Sequence, residues 1–287
     1  MNFLRYRKSA FIFSGILVLL SIFALFVPGL NLGVDFTGGT ILERQVSTNV
    51  STSGVRKILD EAVPDVDLSG AVVQRLDEPN QFMIRTKELD NSDILRIDQA
   101  FNREFGGLIE LRTDVVGPVV GKELVQKALL AVIISSIGIL AYITIRFEYR
   151  FATVAVLCLL HDMLIVLGFF ALTGREVNSP FVAAILTVLG YSINDTIVIF
   201  DRIRENLRLG KKEDTADLVN RSLNQSLSRT INTSITTFVV VFMLVLFGGS
   251  AIQDFAMALL VGIVFGTYSS LLLAGSLWLE WTERVKN

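Results

Sequence analysis

The feature that most constrains this chain is a set of six long apolar segments, because each of them must be removed from water. They occupy residues 10–28, 128–145, 151–172, 181–200, 231–247 and 255–279. Crossing the ~30 Å hydrocarbon core of a bilayer at ~1.5 Å per residue takes about 20 helical residues. Since 52% of the 287 residues are hydrophobic, we predict a membrane α-helical protein with six transmembrane helices.

The distribution of basic residues predicts the orientation of these helices. The short connections on one side of the predicted bundle carry only Arg175, and the positive-inside rule places the more basic side in the cytoplasm. We therefore expect both termini to be cytoplasmic. The basic start is not followed by a small-x-small cleavage site, so the first segment is interpreted as a retained span. The basic side carries Arg5, Arg7, Lys8, Arg146, Arg150, Arg202, Arg204, Arg208, Lys211, Lys212, Arg221, Arg229, Arg284 and Lys286.

The long segment between the first two spans predicts a small folded domain. Strand-like alternation is found in TILERQV, GAVVQRL, QFMIRTK and LIELRTDVV, and helical spacing in TSGVRKILDEAV and NSDILRIDQAFNREF, with DEPN as a turn. The order βαββαβ predicts an α+β ferredoxin-like domain. We divide the chain into residues 1–29 (cytoplasmic N-terminus and first span), 30–127 (extracytoplasmic domain) and 128–287 (five spans), with a cytoplasmic loop near 201–229.

Ionisable residues inside the apolar segments mark the candidate functional site, because such residues are costly at membrane depth and usually functional. Asp195 lies in the fourth segment. Its helix is predicted to have an apolar side that faces lipid and a small-or-polar side, containing Asp195, that does not. The apolar side comprises Ile185, Leu189, Ile193, Ile197 and Phe200, and the other side Ala183, Ala184, Thr187, Gly190, Tyr191 and Asn194.

Two other segments present polar groups at related depths. The third contains His161-Asp162, and in the fifth a polar stripe recurs at helical spacing. A carboxylate that faces a guanidinium can stay ionised, whereas an isolated one in hydrocarbon takes up a proton, so Asp195 and Arg229 are candidates for proton coupling. With one side polar, the bundle is expected to need a partner membrane protein. The stripe comprises Arg229, Asn232, Thr233, Thr236 and Thr237.

Structural interpretations of these residues stay open at this stage. Arg229 fits an interfacial anchor whose apolar stem snorkels, and Asp195 fits a hydrogen-bonding residue that holds the bundle together. His161-Asp162 fits a structural pair as well as a proton carrier.

Other chemistries have little support in the sequence. One histidine and one cysteine, Cys158 in an apolar segment, provide neither a zinc site nor a disulfide, so no metal is expected. The glycine-containing stretches lack phosphate-loop spacing, and the net charge of −2 gives no indication of nucleic acid binding. Gly262 and Gly266 form a GxxxG pattern that permits close helix packing.

Four motifs resemble a known family. GVDFTGGT at 33–40 is similar to the signature of the bacterial SecD/SecF membrane proteins. GYSINDTIVIFDRIREN at 190–206, LHD in the third segment and NQSLSRTINTS at 224–234 are similar to the SecF members in particular, and the resemblance covers the whole chain. The signature positions that it implies are Gly33, Asp35, Gly38, Gly39, Gly190, Asn194, Asp201 and Arg202.

The resemblance also implies a function. SecF is a non-enzymatic subunit of the bacterial cytoplasmic membrane that pairs with SecD, is similar to half of an RND transporter, and works beside SecYEG and SecA. The family uses the proton motive force, without a cofactor, to assist the export of unfolded preproteins. By this resemblance Asp195 is the protonatable carboxylate, Arg229 its cationic counterpart and Asp162 an accessory group.

Three other functions compete with this one. A proton-coupled RND-type exporter of small molecules shares membrane carboxylates but typically carries two large outer domains in a much longer chain. A passive scaffold of the translocase needs no proton coupling. An intramembrane aspartyl protease fits poorly, because His161-Asp162 and Asn194-Asp195 differ from the Tyr-Asp and Gly-x-Gly-Asp motifs of those enzymes.

Overall fold

A computed structural model of the chain describes residues 1–48, 50–76, 80–209 and 213–286. The chain divides into two compact units, one formed by Met1–Asn31 with Leu129–Asn287 and the other by Leu32–Ala128. Most of the expected DEPN turn, as well as Lys211 and Lys212, lies outside the described residues.

The elements follow one another along the chain as helices, a mixed α/β segment and helices again. A 3-10 turn at Leu4–Tyr6 precedes the first helix, and a π-helical segment at Ser269–Ala274 joins the last two helices. The helices and strands are α1 (Arg7–Phe26), β1 (Asn31–Leu32), α2 (Val34–Thr37), β2 (Gly39–Gln45), α3 (Thr52–Ala62), β3 (Val72–Arg75), β4 (Gln81–Thr86), α4 (Asn91–Phe105), β5 (Ile109–Val116), α5 (Pro118–Arg146), α6 (Tyr149–Thr173), β6 (Glu176–Val177), α7 (Ser179–Arg208), α8 (Thr215–Phe247), α9 (Ser250–Tyr268) and α10 (Gly275–Lys286).

Six helical segments are long and apolar enough to cross a membrane within the described part of the chain, which confirms the predicted number of spans. They are Leu4–Phe26, Pro118–Arg146, Tyr149–Thr173, Ser179–Arg208, Thr215–Phe247 and Ile252–Arg284. The polar stretches of the predicted cytoplasmic loop near 201–229 instead continue α7 to Arg208 and open α8 at Thr215. Their amphipathic spacing has the same period as the spans that they extend, so pattern alone does not separate them.

Local sequence signals fix the connection between α6 and α7. Gly174 ends α6 in the left-handed conformation at φ 65, which a residue without Cβ adopts freely. Asn178 then caps α7 by accepting a hydrogen bond from the Phe181 backbone N–H at 3.0 Å, and Pro180 occupies the first turn. These signals hold the third and fourth spans as neighbours.

Glycines let the membrane helices approach closely. A Cβ added at Gly262 would lie 2.2 Å from a methyl carbon of Val188, so α9 packs directly on α7. In the same way, a Cβ at Gly168 on α6 would lie 2.3 Å from the Ser21 Cβ on α1. Small residues at such crossings give van der Waals contact between backbones, which is the main source of helix association in a bilayer.

The spans differ in how much of each is enclosed. The most apolar windows of the third and sixth spans are 56% buried and that of the fourth is 50% buried, against 17% for the fifth. Aromatic rings fill part of the core: the Phe151 centroid lies 4.9 Å from that of Trp278, on which it stacks, and 4.9 Å from that of Phe200, to which it is tilted. The fifth span, α8, therefore leaves much of its surface uncovered by this chain.

The unit Leu32–Ala128 contains a four-stranded antiparallel sheet in the order β3-β4-β2-β5, with the helices α3 and α4 on its core side. Its core includes Leu42, Phe82, Ile84, Ile97 and Phe101, all at most 2% exposed. The connection from α2 into the inner strand β2 is tight, because Gly39 has φ 133 and a Cβ there would meet the Thr86 carbonyl oxygen.

An ion pair between Arg44 and Asp98 joins α4 to strand β2. The Arg44 side chain is 0% exposed, and its guanidinium donates to the Asp98 carboxylate at 2.8 and 3.0 Å. It also donates to the backbone carbonyls of Glu43 and Arg112. A buried guanidinium that keeps all these acceptors is compatible with the core, whereas an unpaired one is strongly unfavourable.

We expect Asp98→Ala to lower the free energy of unfolding of this unit by about 3 kcal/mol, because it leaves Arg44 buried without its counter-ion. The matched control is Glu61→Ala, which removes the exposed Lys57–Glu61 pair, whose side chains are 77% and 65% exposed. That loss should stay below ~0.5 kcal/mol. Hydrogen exchange of the β2 amides in the full chain measures both values, and equal effects would contradict the assignment.

Candidate functional site

Asp195 lies on α7 at its contact with α8. The residue is 4% exposed, and the Ser234 hydroxyl of α8 donates to its Oδ2 atom at 3.4 Å. Thr233, next to Ser234, donates its hydroxyl hydrogen to the backbone carbonyls of Arg229 and Thr230. The Thr267 hydroxyl of α9 lies 2.8 Å from Ser234 Oγ, so α9 positions the hydroxyl that approaches Asp195.

Arg229 lies on the same helix as these hydroxyls, one turn earlier. Its positive charge acts electrostatically on Asp195, although no direct ion pair joins them among the described residues. Arg229 itself is exposed, whereas Asp195 is buried. The structure thus places Asp195 and Arg229 on helices that face each other, with the Arg229 guanidinium on the exposed side of the contact.

Asp162 forms a second, separate group. It is 1% exposed on α6, and its Oδ2 atom accepts hydrogen bonds from Ser192 of α7 at 2.6 Å and Ser269 at 2.7 Å. The Oδ1 atom lies 2.9 Å from His161 Nδ1. Three elements therefore meet at one carboxyl group. Since hydroxyls both donate and accept, they can serve either protonation state of the acid.

The close packing of α9 on α7 assembles this second group. A Cβ at Gly266 would lie 3.0 Å from the Ser192 Cβ, so the GxxxG pattern brings the start of the π-helical segment against α7. Next to it, Thr196 and Ser270 join their hydroxyls at 2.9 Å. A π-helical segment changes the direction of side chains relative to an α-helix and often lies at functional sites.

The prediction that the apolar side of α7 faces lipid is wrong. The side expected to face lipid is enclosed, with Ile185 and Leu189 each 4% exposed and Phe200 fully buried. The small-or-polar residues Thr187 and Asn194 are instead exposed. In a bilayer, lipid is as apolar as a leucine side chain, so an apolar face gains nothing by choosing lipid over protein. Apolar periodicity therefore shows that α7 has two sides, but not which of them is inside.

A surface of exposed small and polar residues runs along α7 and α8 at this site. At membrane depth, such polar groups need protein partners or a water-filled cavity. We call this set the open face; its residues are Ala183, Thr187, Gly190 and Asn194 of α7 and Arg229, Asn232, Thr233 and Thr236 of α8, all exposed. Asp195 lies directly behind it.

The remaining signature positions have structural environments. Gly38 and Gly39 adopt positive φ angles of 75 and 133 between α2 and β2. Gly33 precedes α2, and Asp35 lies in its first turn, where a negative charge favours the helix N-terminus. Near the end of α7, Asp201 accepts from Arg204 at 3.0 Å, and Arg202 donates to Glu205 at 2.8 Å, both as surface pairs.

Sequence reasoning missed the hydroxyl residues that contact the two carboxyl groups. Ser192, Ser269, Ser234 and Thr267 are common residues in membrane helices, and nothing in their type distinguishes them. The spacing of Ser234 relative to other hydroxyls on α8 was the one signal available in the sequence.

Comparisons with known proteins agree on one family. The family model described as "Protein export membrane protein SecD/SecF, C-terminal" matches residues 98–284, and that described as "SecD/SecF GG Motif" matches residues 23–50. The chain is 44% identical over 278 residues to "Protein translocase subunit SecF" of Sebaldella termitidis, covering 96% of this chain and 90% of that protein.

Longer relatives contain the match as one part. The chain is 42% identical to "Protein translocase subunit SecDF" of Bacillus subtilis over 99% of its own length but only 38% of that protein. A crystal structure of SecDF from Thermus thermophilus, described as a translocon-associated membrane protein, matches with a TM-score of 0.90 and 37% identity. That match covers 99% of this chain and 39% of the other.

We expect Ser192→Ala to destabilise the membrane unit by about 1–2 kcal/mol, since it removes a buried donor to Asp162. Ser228→Ala removes an exposed hydroxyl on α8 and is the control, with an expected change below ~0.5 kcal/mol. Both changes in stability are measured by unfolding the purified chain in mixed micelles with an increasing fraction of a denaturing detergent. Equal midpoints for the two variants would show that the bond to Asp162 contributes no stability.

Proposed function

This chain belongs to the SecD/SecF family of protein export membrane proteins, and we propose that it is a SecF-type subunit of the protein translocase. In this proposal it acts with SecD and uses the proton motive force to assist the passage of unfolded preproteins through the Sec channel. The observation that carries the proposal is the buried carboxyl group of Asp195, which faces the charge of Arg229 across a helix contact.

Protonation of Asp195 changes what holds α7 and α8 together. The ionised carboxylate attracts Arg229 and accepts a hydrogen bond from Ser234, whereas the neutral acid loses the attraction. A proton that crosses ~100 mV releases roughly 2.3 kcal/mol, which is enough to change the populations of two nearly balanced helix packings. Proton entry and release thus become movement of one helix against another.

The open face supports a membrane partner. Its polar residues on α7 and α8 are exposed in this chain, and a second set of helices would cover them. Relatives named SecDF carry the matching segment within one longer polypeptide, of which this chain matches 38% in Bacillus subtilis and 36% in Thermus thermophilus. We assign the covering helices to SecD. SecYEG, SecA and the exported preprotein are the further partners that this function requires.

The protein is a multi-pass membrane protein, which we place in the bacterial cytoplasmic membrane with both termini in the cytoplasm. The basic residues at the chain ends and in the α7–α8 connection support this orientation. The strand order of the Leu32–Ala128 unit supports a ferredoxin-like fold for the domain, which we place outside the cytoplasm. There it would handle the emerging polypeptide.

Asp162 has an accessory role in this proposal. Its three close partners hold α6, α7 and the π-helical segment in register, so it maintains the geometry in which Asp195 operates. The work comes from the proton gradient, and the proposal therefore requires neither an enzymatic step, nor a cofactor, nor a metal.

We expect Asp195→Asn to abolish the part of export that depends on the proton gradient, because an amide cannot take up and release a proton at this site. The matched control is Asp201→Asn, which alters an exposed carboxylate on the same helix and should keep that part. Export into inverted membrane vesicles, with and without a proton ionophore, measures the difference. Full gradient dependence in Asp195→Asn would leave this carboxyl group with a structural role only.

Arg229 variants test the charge on the opposite helix. Arg229→Met should lose most of the gradient-dependent export, whereas Arg229→Lys should retain part of it, because the positive charge is kept. Co-purification with SecD checks that both variants still assemble. Equal activity of the two variants would contradict an electrostatic role, and export that never responds to an ionophore would favour a passive scaffold.

A further inference from the structure

Hydroxyl residues line the buried side of α8 over successive helical turns. Ser222 and Thr230 are 0% exposed, Ser226 is 3% exposed and Ser234 is 6% exposed. Residues four apart lie on the same face of a helix, so these hydroxyls form one row facing the interior of the bundle. We call this set the hydroxyl row.

The two ends of the hydroxyl row reach polar groups. At one end, Ser234 Oγ donates to Asp195. At the other end, Ser222 Oγ accepts a hydrogen bond from Asn206 at 2.8 Å, and Asn206 also accepts one from Arg221 at 2.9 Å. Arg221 pairs with Glu213, and both side chains are partly exposed near the α7–α8 connection. The row therefore extends from the buried carboxyl group towards solvent.

The two middle hydroxyls are unusual. Ser226 Oγ and Thr230 Oγ1 are buried and have no hydrogen-bond partner within the described parts of the chain. Other hydroxyls on this helix donate to the carbonyl four residues earlier, as Ser222, Thr233 and Thr236 do. Serine and threonine in membrane helices commonly make this bond, so two adjacent members of a row that do not make it need another partner.

The distance between successive hydroxyls of the row fits a water molecule as the missing hydrogen-bond partner. Four residues of α-helix advance by ~6 Å, which is about twice the length of an O–H···O hydrogen bond. One water between each pair of neighbouring hydroxyls would therefore complete a continuous hydrogen-bonded chain of ~18 Å from Ser222 to Ser234. Apolar side chains at these positions would give waters no such contacts.

We propose that the hydroxyl row, with bridging waters, is the proton path between Asp195 and the solvent at the α7–α8 connection. This inference rests on the proposed function, and it assigns Ser226 and Thr230 as positioning residues for the water chain. A proton that leaves the Asp195 carboxyl group passes to a water. Each hydroxyl then accepts one proton and releases another, so the hydroxyls are unchanged and one proton reaches the solvent.

Silver ions, which react with thiols and enter water-filled paths but not packed apolar cores, test the hydration directly. Ser226→Cys and Thr230→Cys are each made in a Cys158→Ala chain and treated with silver in inverted membrane vesicles. Thiols left unreacted are then labelled with a maleimide after denaturation. Leu223→Cys, a buried position on the same helix but off the row, and the unaltered chain with its buried Cys158 are the controls.

Silver is expected to block both row positions and to leave Leu223→Cys and Cys158 free for the maleimide. Lack of reaction at both row positions would overturn the water chain. Equal reaction at Leu223→Cys would overturn it too, because the whole helix contact would then be open to ions. These results do not depend on export, so the water chain can fail while the proton-driven function of Asp195 stands.

A second measurement tests whether the path carries protons. Ser226→Ala combined with Thr230→Val should slow proton uptake by vesicles holding the chain and SecD about tenfold, the factor that corresponds to one lost hydrogen bond of ordinary strength. Ser228→Ala, whose hydroxyl is exposed on the same helix, should leave the rate unchanged. An unchanged rate in the double variant, together with loss of uptake in Asp195→Asn, would place the proton path elsewhere and keep the proposed function.

Discussion

The burial of one carboxyl group inside a bundle of apolar helices governs the membrane unit. Asp195 is 4% exposed, and the groups that interact with it come from α8 rather than from its own helix. Because a charge without partners is highly unfavourable at membrane depth, the contact between α7 and α8 and the charge of Asp195 depend on each other. In the proposed function, this helix contact depends on protonation, and that dependence couples the proton gradient to movement.

The two sides of α7 are packed against their neighbours to different degrees. On one side, Gly262 packs against Val188, and the Asp162 group ties α7 to α6 and to the π-helical segment through short hydrogen bonds. On the other side, Asp195 meets α8, a helix whose apolar window is only 17% buried. The first side fixes the position of α7, whereas on the second side α8 keeps most of its apolar window outside contacts within this chain.

The sequence predicted the number of spans correctly, but not which side of α7 faces the interior of the bundle. The number of spans followed from composition, whereas Asp195, Arg229 and Asp162 were selected from rare charges at membrane depth and from family motifs, and their roles stay predictions. The orientation of α7 was predicted wrongly, because Ile185 and Leu189 are equally compatible with lipid and with a protein interior. The contacts of Ser192 and Ser269 were not predictable, since hydroxyls are common in such helices and their partners lie far away in the chain.

By itself, then, the sequence determined that this chain crosses a membrane six times, because each apolar run has the length that a bilayer requires. It also determined the family, through motifs long enough to be specific. Only the tertiary structure decided that Asp162 and Asp195 belong to separate hydrogen-bonded groups, and that the polar side of α7 is exposed at the surface of the bundle. Those outcomes depend on how closely glycines let α9 approach α7, and a linear pattern of residues does not contain the distances between helices.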